Sequence, residues 1–128
     1  MTRTRASAKQ AGARFEREIA DALAWALEDT RIDRRVKMGA NDRGDIANVR
    51  HATGANVVIE CKNYGGQVIL SEWVGEAEVE RINDGALAGV VIAKRKGVTD
   101  PMKQYMVCEV SEFVALLRGD RKHMEGKG

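Results

Sequence analysis

Cysteine is scarce in this chain: Cys61 and Cys108 are the only two, and both stand in apolar, strand-like runs. Two thiols are too few for a zinc site, and nothing about their setting suggests a disulfide framework. They are expected to be reduced packing residues in a cytoplasmic protein. Long apolar runs are missing too. No stretch approaches the ~20 residues needed to span a bilayer, and the basic N-terminus has no apolar signal core, so secretion is not expected. Histidine occurs only at His51, in a turn, and His123, near the C-terminus. Neither has a serine or cysteine nucleophile beside it, which argues against acyl transfer, and both are expected on the surface. Aromatic residues are few, and Tyr64, Trp73 and Tyr105 are scattered, so no platform for stacking single-stranded bases is evident. There is no internal repeat.

What remains is ordinary globular composition. The chain has 128 residues, 44% hydrophobic and 31% charged, enough for one domain with its own core. The formal net charge is only +2, so distribution matters more than bulk. Arg3, Arg5, Lys9, Arg14 and Arg17 face Glu16 alone at the N-terminus, and Lys94-Arg95-Lys96 forms a second basic cluster. Residues 1–8 read as a flexible basic arm, 9–119 as a single domain and 120–128 as a charged, disordered tail.

A helix is predicted from about Lys9 to Asp29, where Phe15, Ile19, Ala22, Leu23, Ala26 and Leu27 recur at helical spacing. At ~100° per residue, Glu16 falls inside that stripe while Arg14 and Arg17 face away. An acid turned toward the core is costly unless paired or bound to a metal. Glu16 therefore reaches solvent near the helix end, meets a lysine, or serves a metal. Arg31–Met38 reads as a strand, Gly39–Gly44 as a loop and Asp45–Arg50 as a second strand. A short turn at residues 51–55 leads into Val57-Val58-Ile59-Glu60-Cys61-Lys62, a strand by its β-branched residues. Strands joined so closely should pair antiparallel, which sets Asp45 beside Glu60 and Lys62. Ser71 is a plausible cap for a helix to Asp84, whose apolar residues split between two sides. Ala88–Ala93 reads as a strand buried on both faces and Gln104–Val110 as another, and Ser111 opens a short helix stopped by Gly119. The predicted order is α-β-β-β-α-β-β-α: an α/β domain with a central mixed sheet flanked by helices.

Side chains two apart on a strand share a face, so Val58, Glu60 and Lys62 lie together, opposite Val57, Ile59 and Cys61. Carboxylates suit hard divalent cations such as Mg²⁺. Asp45 and Glu60 can supply two ligands, the Cys61 main-chain carbonyl lies within reach, and Glu16 completes the site through a second ion or a water. Such an ion polarises a phosphate oxygen and acidifies water, and Lys62 is placed to orient the attacking water or neutralise developing charge. The simpler reading is a structural Glu60–Lys62 ion pair. Asp42 rivals Asp45, but Ile46 and Val49 set Asp45 at a strand start.

Gly12-Ala13-Arg14-Phe15-Glu16-Arg17-Glu18, Gly44-Asp45-Ile46 and Ile59-Glu60-Cys61-Lys62 resemble the motifs of the PD-(D/E)xK nuclease superfamily, closest to archaeal-type Holliday junction resolvases and related phage endonucleases. The likeness spans about Gly12 to Ile92, with Gly44 where the superfamily name has proline. It implies a restriction-endonuclease-like fold and a catalytic set of Glu16, Asp45, Glu60 and Lys62. It also implies Mg²⁺ or Mn²⁺ as cofactor, and a homodimer that cuts a four-way DNA junction symmetrically. A small nuclease of this kind suits a phage genome. The basic residues Arg3, Arg5, Lys9, Arg14, Arg17, Lys94, Arg95 and Lys96 would then follow DNA phosphates, although a solvated turn serves equally for the last three. A nicking, repair or restriction-type nuclease with another DNA substrate is the alternative, and a non-catalytic DNA-binding module a third reading.

Overall fold

The computed structural model describes residues 4–37, 39–65 and 67–124. Its elements are α1 (Arg5–Ala26), β1 (Asp33–Arg34), β2 (Ile46–Ala47), β3 (Val57–Lys62), α2 (Leu70–Asp84), β4 (Ala88–Ala93), β5 (Tyr105–Val107) and α3 (Val110–Arg118). The expected order of helices and strands is present. The sheet runs β1-β2-β3-β4-β5, antiparallel except for the parallel β3–β4 pair that the α2 crossover creates. The domain is therefore α/β, a five-stranded mixed sheet with helices against it. Among the described residues no helix is long and apolar enough to cross a membrane.

The core lies on both faces of β3 and β4. Ala20 of α1 packs with Ile32, Ile46, Val49, Ile59 and Val90 on one face. Trp73 and Ala77 of α2 pack with Val91 and Ala93 on the other. Cys61 and Cys108 pack against the first cluster, as expected of structural thiols, and burial pushes the Cys61 thiol pKa up. Of the split apolar residues on α2, Trp73 and Ala77 go inward, whereas Val79 and Ile82 are exposed.

Several boundaries differ from expectation for local reasons. The first helix begins four residues earlier than predicted, because Thr4 caps it by accepting from the Ser7 N–H at 3.0 Å. The supposed arm thus joins the helix from Arg5 onward, while Arg3 lies outside the described residues. The first strand keeps only two residues: Ile32 is buried, but Val36 is 83% exposed, so no buried alternation sustains pairing further, and Met38 lies outside the described residues. The second strand breaks at Asn48, whose φ of 69° is left-handed, and pairing resumes at the Arg50–Asn56 bridge. Ser71 and Ser111 do not cap; Ile69 and Glu109 stand at those ends without a side-chain cap bond. The tail is ordered through a turn at Lys122–Met124, because Arg121 donates to the Leu87 carbonyl and to Glu112. Residues 125–128 lie outside the described residues.

Candidate active site

The four acidic and basic residues singled out by the sequence line one cleft of about 690 Å³, together with Lys9, Arg34, Lys37, Asp42 and Cys61. The β2–β3 pairing sets its floor. The Asp45 N–H donates to the Ile59 carbonyl at 2.8 Å, and the Cys61 N–H donates to Asp45 Oδ2 at 2.7 Å. The aspartate is therefore locked beside the strand carrying Glu60 and Lys62. Gly44 makes this approach possible. Its φ is +97°, closed to proline, and a Cβ there would stand 2.9 Å from Val58 Cγ1 and 3.0 Å from the Ile59 carbonyl. Asp42 lies on the cleft wall, where its Oδ1 accepts from the Gly44 N–H at 3.2 Å and so holds the turn.

β3 presents its faces as the alternation required. Ile59 and Cys61 turn toward the α1 side, and Glu60 and Lys62 meet α2. There the structure adds two residues that sequence reasoning missed, Glu76 and Glu80, one helical turn apart. Glu76 accepts from Lys62 Nζ at 2.5 Å, and Glu60 Oε2 stands 3.7 Å from the same ammonium. The Glu60–Lys62 contact of the simpler reading is thus present but is the looser of the two. Glu80 is buried and hydrogen-bonded to Glu60, and among the described residues its Oε2 has no hydrogen-bond partner. The i, i+4 spacing of Glu76 and Glu80, flanking the inward Ala77, was the available signal.

Glu16 is buried within the helical stripe rather than reaching solvent at the helix end. It meets basic residues of β1 and the segment after it: Arg34, which ends β1, at 3.1 Å from Oε1 and Lys37 at 3.5 Å from Oε2. Lys37 also hydrogen-bonds Asp45 Oδ1. Arg34 and Lys37 are the cations nearest the acids, and the basic run Arg34-Arg35-Val36-Lys37 was their unused sequence signal.

Of the proposed phosphate contacts, Lys9 lines the cleft and Arg14 lines a neighbouring groove with Lys94. Arg5 is exposed on the first helical turn. Arg17 is not free: Asp33 at 2.6 Å and Asp21 at 3.0 Å hold its guanidinium. Lys94 donates to the carbonyls of Arg95 and Val98, and Arg95 lies 4.4 Å over the Tyr105 ring, so both chiefly brace their loop. Lys96 is exposed.

Burial pushes Glu60 up to about 11, helped by its hydrogen bonds to Asp45 and Glu80, and pushes Glu80 up to about 7. Burial opposes ionisation of Asp45 as well, but hydrogen bonds from Glu60, Lys37 and the Cys61 N–H outweigh it and hold Asp45 low. Burial also disfavours the Lys62 ammonium, yet Glu76 and Glu60 more than compensate and raise its pKa. Lys62 is thus a fixed positive charge, suited to stabilising an anion rather than to removing a proton.

These shifts set the pH dependence of the metal-free fold. An acid whose folded pKa exceeds its unfolded value binds protons more tightly when folded, so its stabilisation is complete below the unfolded pKa and is lost as pH rises through the folded one. Asp45 acts in the opposite sense, but its contribution is already complete by about pH 5. Above that, Glu60 and Glu80 both lower stability as pH rises, Glu80 until about 7 and Glu60 throughout the range. The melting midpoint in chelator is expected to fall by about 4 °C or more between about pH 5 and about pH 8, and Glu60→Gln to flatten the slope. A midpoint constant or rising over that range in differential scanning fluorimetry contradicts this.

Among the described residues, no group of three or more His, Cys, Asp and Glu side chains forms a ready-made metal cage. What the cleft offers is a crowded carboxylate pair, Asp45 and Glu60, with Glu16 bridged to it through Lys37. That donor set fits Mg²⁺, which keeps several waters and takes one or two protein carboxylates. Cys61 lines the same cleft.

No family model, no curated protein and no solved structure matches this chain. The functional reading therefore rests on the site.

Proposed function

We propose that the chain is a metal-dependent DNA endonuclease with a restriction-endonuclease-like fold, acting on branched DNA as a Holliday junction resolvase does. The observation that carries this reading is the contact of Asp45 with Glu60 at the end of β3, with the Lys62 ammonium alongside, in an open cleft. Asp45 and Glu60 are the residues that would hold Mg²⁺ or Mn²⁺, supported by the Cys61 carbonyl and by Glu16. When bound, the cation would polarise the phosphodiester and favour hydroxide over water. Lys62 contributes a positive charge, fixed by Glu76, where negative charge develops on the phosphoryl oxygens. Lys9 and Arg34 border the acids and would anchor neighbouring phosphates without reading sequence.

Symmetric cutting of a four-way junction calls for two copies of the site. Exposed Val79 and Ile82 on α2, and Val110, Phe113 and Leu117 on α3, are apolar surface suited to a second copy. The same acids serve a nicking, repair or restriction-type nuclease equally well, so substrate choice is what must be tested. Purified protein should nick labelled four-way junctions in symmetric pairs with Mg²⁺ and leave linear duplex largely intact. Absence of metal-dependent cleavage on any DNA overturns the enzymatic reading in favour of a binding module. Equal cleavage of junction and duplex removes only the branched preference, and a monomer by sedimentation at about micromolar concentration counts against symmetric resolution.

A further inference from the structure

Lys37 is unaccounted for by the catalytic set. Its ammonium hydrogen-bonds Asp45 Oδ1 and lies 3.5 Å from Glu16 Oε2, spanning the gap between an acid on α1 and one at the edge of β2. The other Asp45 oxygen, Oδ2, is engaged by the Cys61 N–H at 2.7 Å. Oδ1, the oxygen that the strand backbone leaves, is the one Lys37 holds, and Glu60 also hydrogen-bonds this carboxylate. The lysine side chain is 56% exposed, while that of Asp45 is 2% exposed, so the acid is fixed and the base has solvent to move into. Among the described residues, the backbone leading to Lys37 pairs with the sheet as far as the Arg35 N–H, which donates to the Asp45 carbonyl at 2.8 Å.

We propose that Lys37 is an internal counter-ion that a divalent cation must displace from Asp45, so that this lysine, rather than the acids alone, sets the affinity of the site for metal. The proposal rests on the metal-dependent reading above. A single positive charge in van der Waals contact with the ligand oxygen competes directly for it, whereas a more distant cation in the same cleft only makes the local potential less negative, by an amount that solvent and salt screen. In the metal-free chain Lys37 offsets the repulsion between neighbouring carboxylates. On loading, that task passes to the ion and the lysine turns outward.

Calorimetric titration with Mn²⁺ tests this without reference to turnover. Lys37→Met is expected to bind Mn²⁺ about tenfold more tightly than the wild type, the scale of one charge-assisted hydrogen bond no longer broken on binding. Lys9→Met removes the same charge from the same cleft without touching Asp45, and its affinity should stay within about twofold of the wild type. Lys37→Arg keeps the charge and should bind no more tightly than the wild type, which gives a readout should the methionine variant not fold. Equal or weaker binding by Lys37→Met, tighter binding by Lys37→Arg, or an equal gain in Lys9→Met overturns the exchange. Failure of the underlying reading looks different: the wild type then shows no Mn²⁺ site that Asp45→Asn abolishes, and the exchange falls with it.

Discussion

Glu60→Gln is expected to lower the single-turnover rate of metal-dependent DNA cleavage by about a thousandfold or more while leaving the fold intact. The amide matches the carboxyl in shape and can keep hydrogen bonds to Asp45 and Glu80, so no cavity opens. What it loses is the anionic oxygen that would face the cation. Because burial and two acidic neighbours push Glu60 up to about 11, folding the metal-free chain must protonate it, and replacing it by an amide should stabilise the chain above neutral pH. Lower activity with equal or higher stability is the signature that separates a ligand from a structural residue. Lys62→Met offers the complementary split. It should retain an Mn²⁺ site, since Asp45 and Glu60 remain, but cleave about a hundredfold or more slowly for want of the fixed charge. Quenched-flow cleavage at saturating DNA, with circular dichroism as the folding control, measures both. A Glu60→Gln protein cleaving within about tenfold of the wild type would remove Glu60 from the catalytic set.

The largest expected effect on stability lies at the other end of the sheet. Glu112→Ala should cost about 3–5 kcal/mol. Glu112 is 2% exposed, and its Oε1 accepts from the Gly89 N–H and from Arg121, both at 3.1 Å. Gly89 needs this acceptor because β5 pairs with β4 only from Val91 onward, so on that side no strand among the described residues reaches the Gly89 N–H. Alanine would strand a buried backbone donor and leave the Arg121 guanidinium without its carboxylate. Arg121→Ala should cost less, about 1 kcal/mol, because Arg121 is partly exposed and Glu112 would keep its bond to Gly89 and Arg81 at 3.7 Å. Urea unfolding of both variants checks the order, and a loss below about 1 kcal/mol for Glu112→Ala would refute the account. Neither substitution touches the cleft, so cleavage by the folded fraction should be unchanged.

Much of the site was legible because its residues obey short-range rules. The alternation along Val57–Lys62 set Glu60 and Lys62 on one face, and the short turn brought Asp45 alongside. The helical stripe turned Glu16 inward and also allowed that it would meet a lysine, which Lys37 fulfils. Both six-residue strands, Val57–Lys62 and Ala88–Ala93, have the limits their apolar runs implied, and Gly85 and Gly119 end their helices in left-handed conformation. Asp45 meets the β3 backbone while Asp42 braces the turn before it, and both line the cleft.

By itself, then, the sequence determined the order of elements, the mixed α/β sheet, and which acids turn toward one cleft. Periodicity and turn length act within a few residues, and a local pattern suffices to read them. The tertiary structure alone decided what those acids meet. Glu76 and Glu80 reach Lys62 and Glu60 only because the crossover lays α2 across β3. Lys37 reaches Asp45 only because a two-residue edge strand carries the chain past it. The supposed tail closes on Glu112 because β5 stops short of Gly89. Each is a contact between segments distant in sequence, set by how layers stack and where strands end, and no periodicity along the chain encodes it.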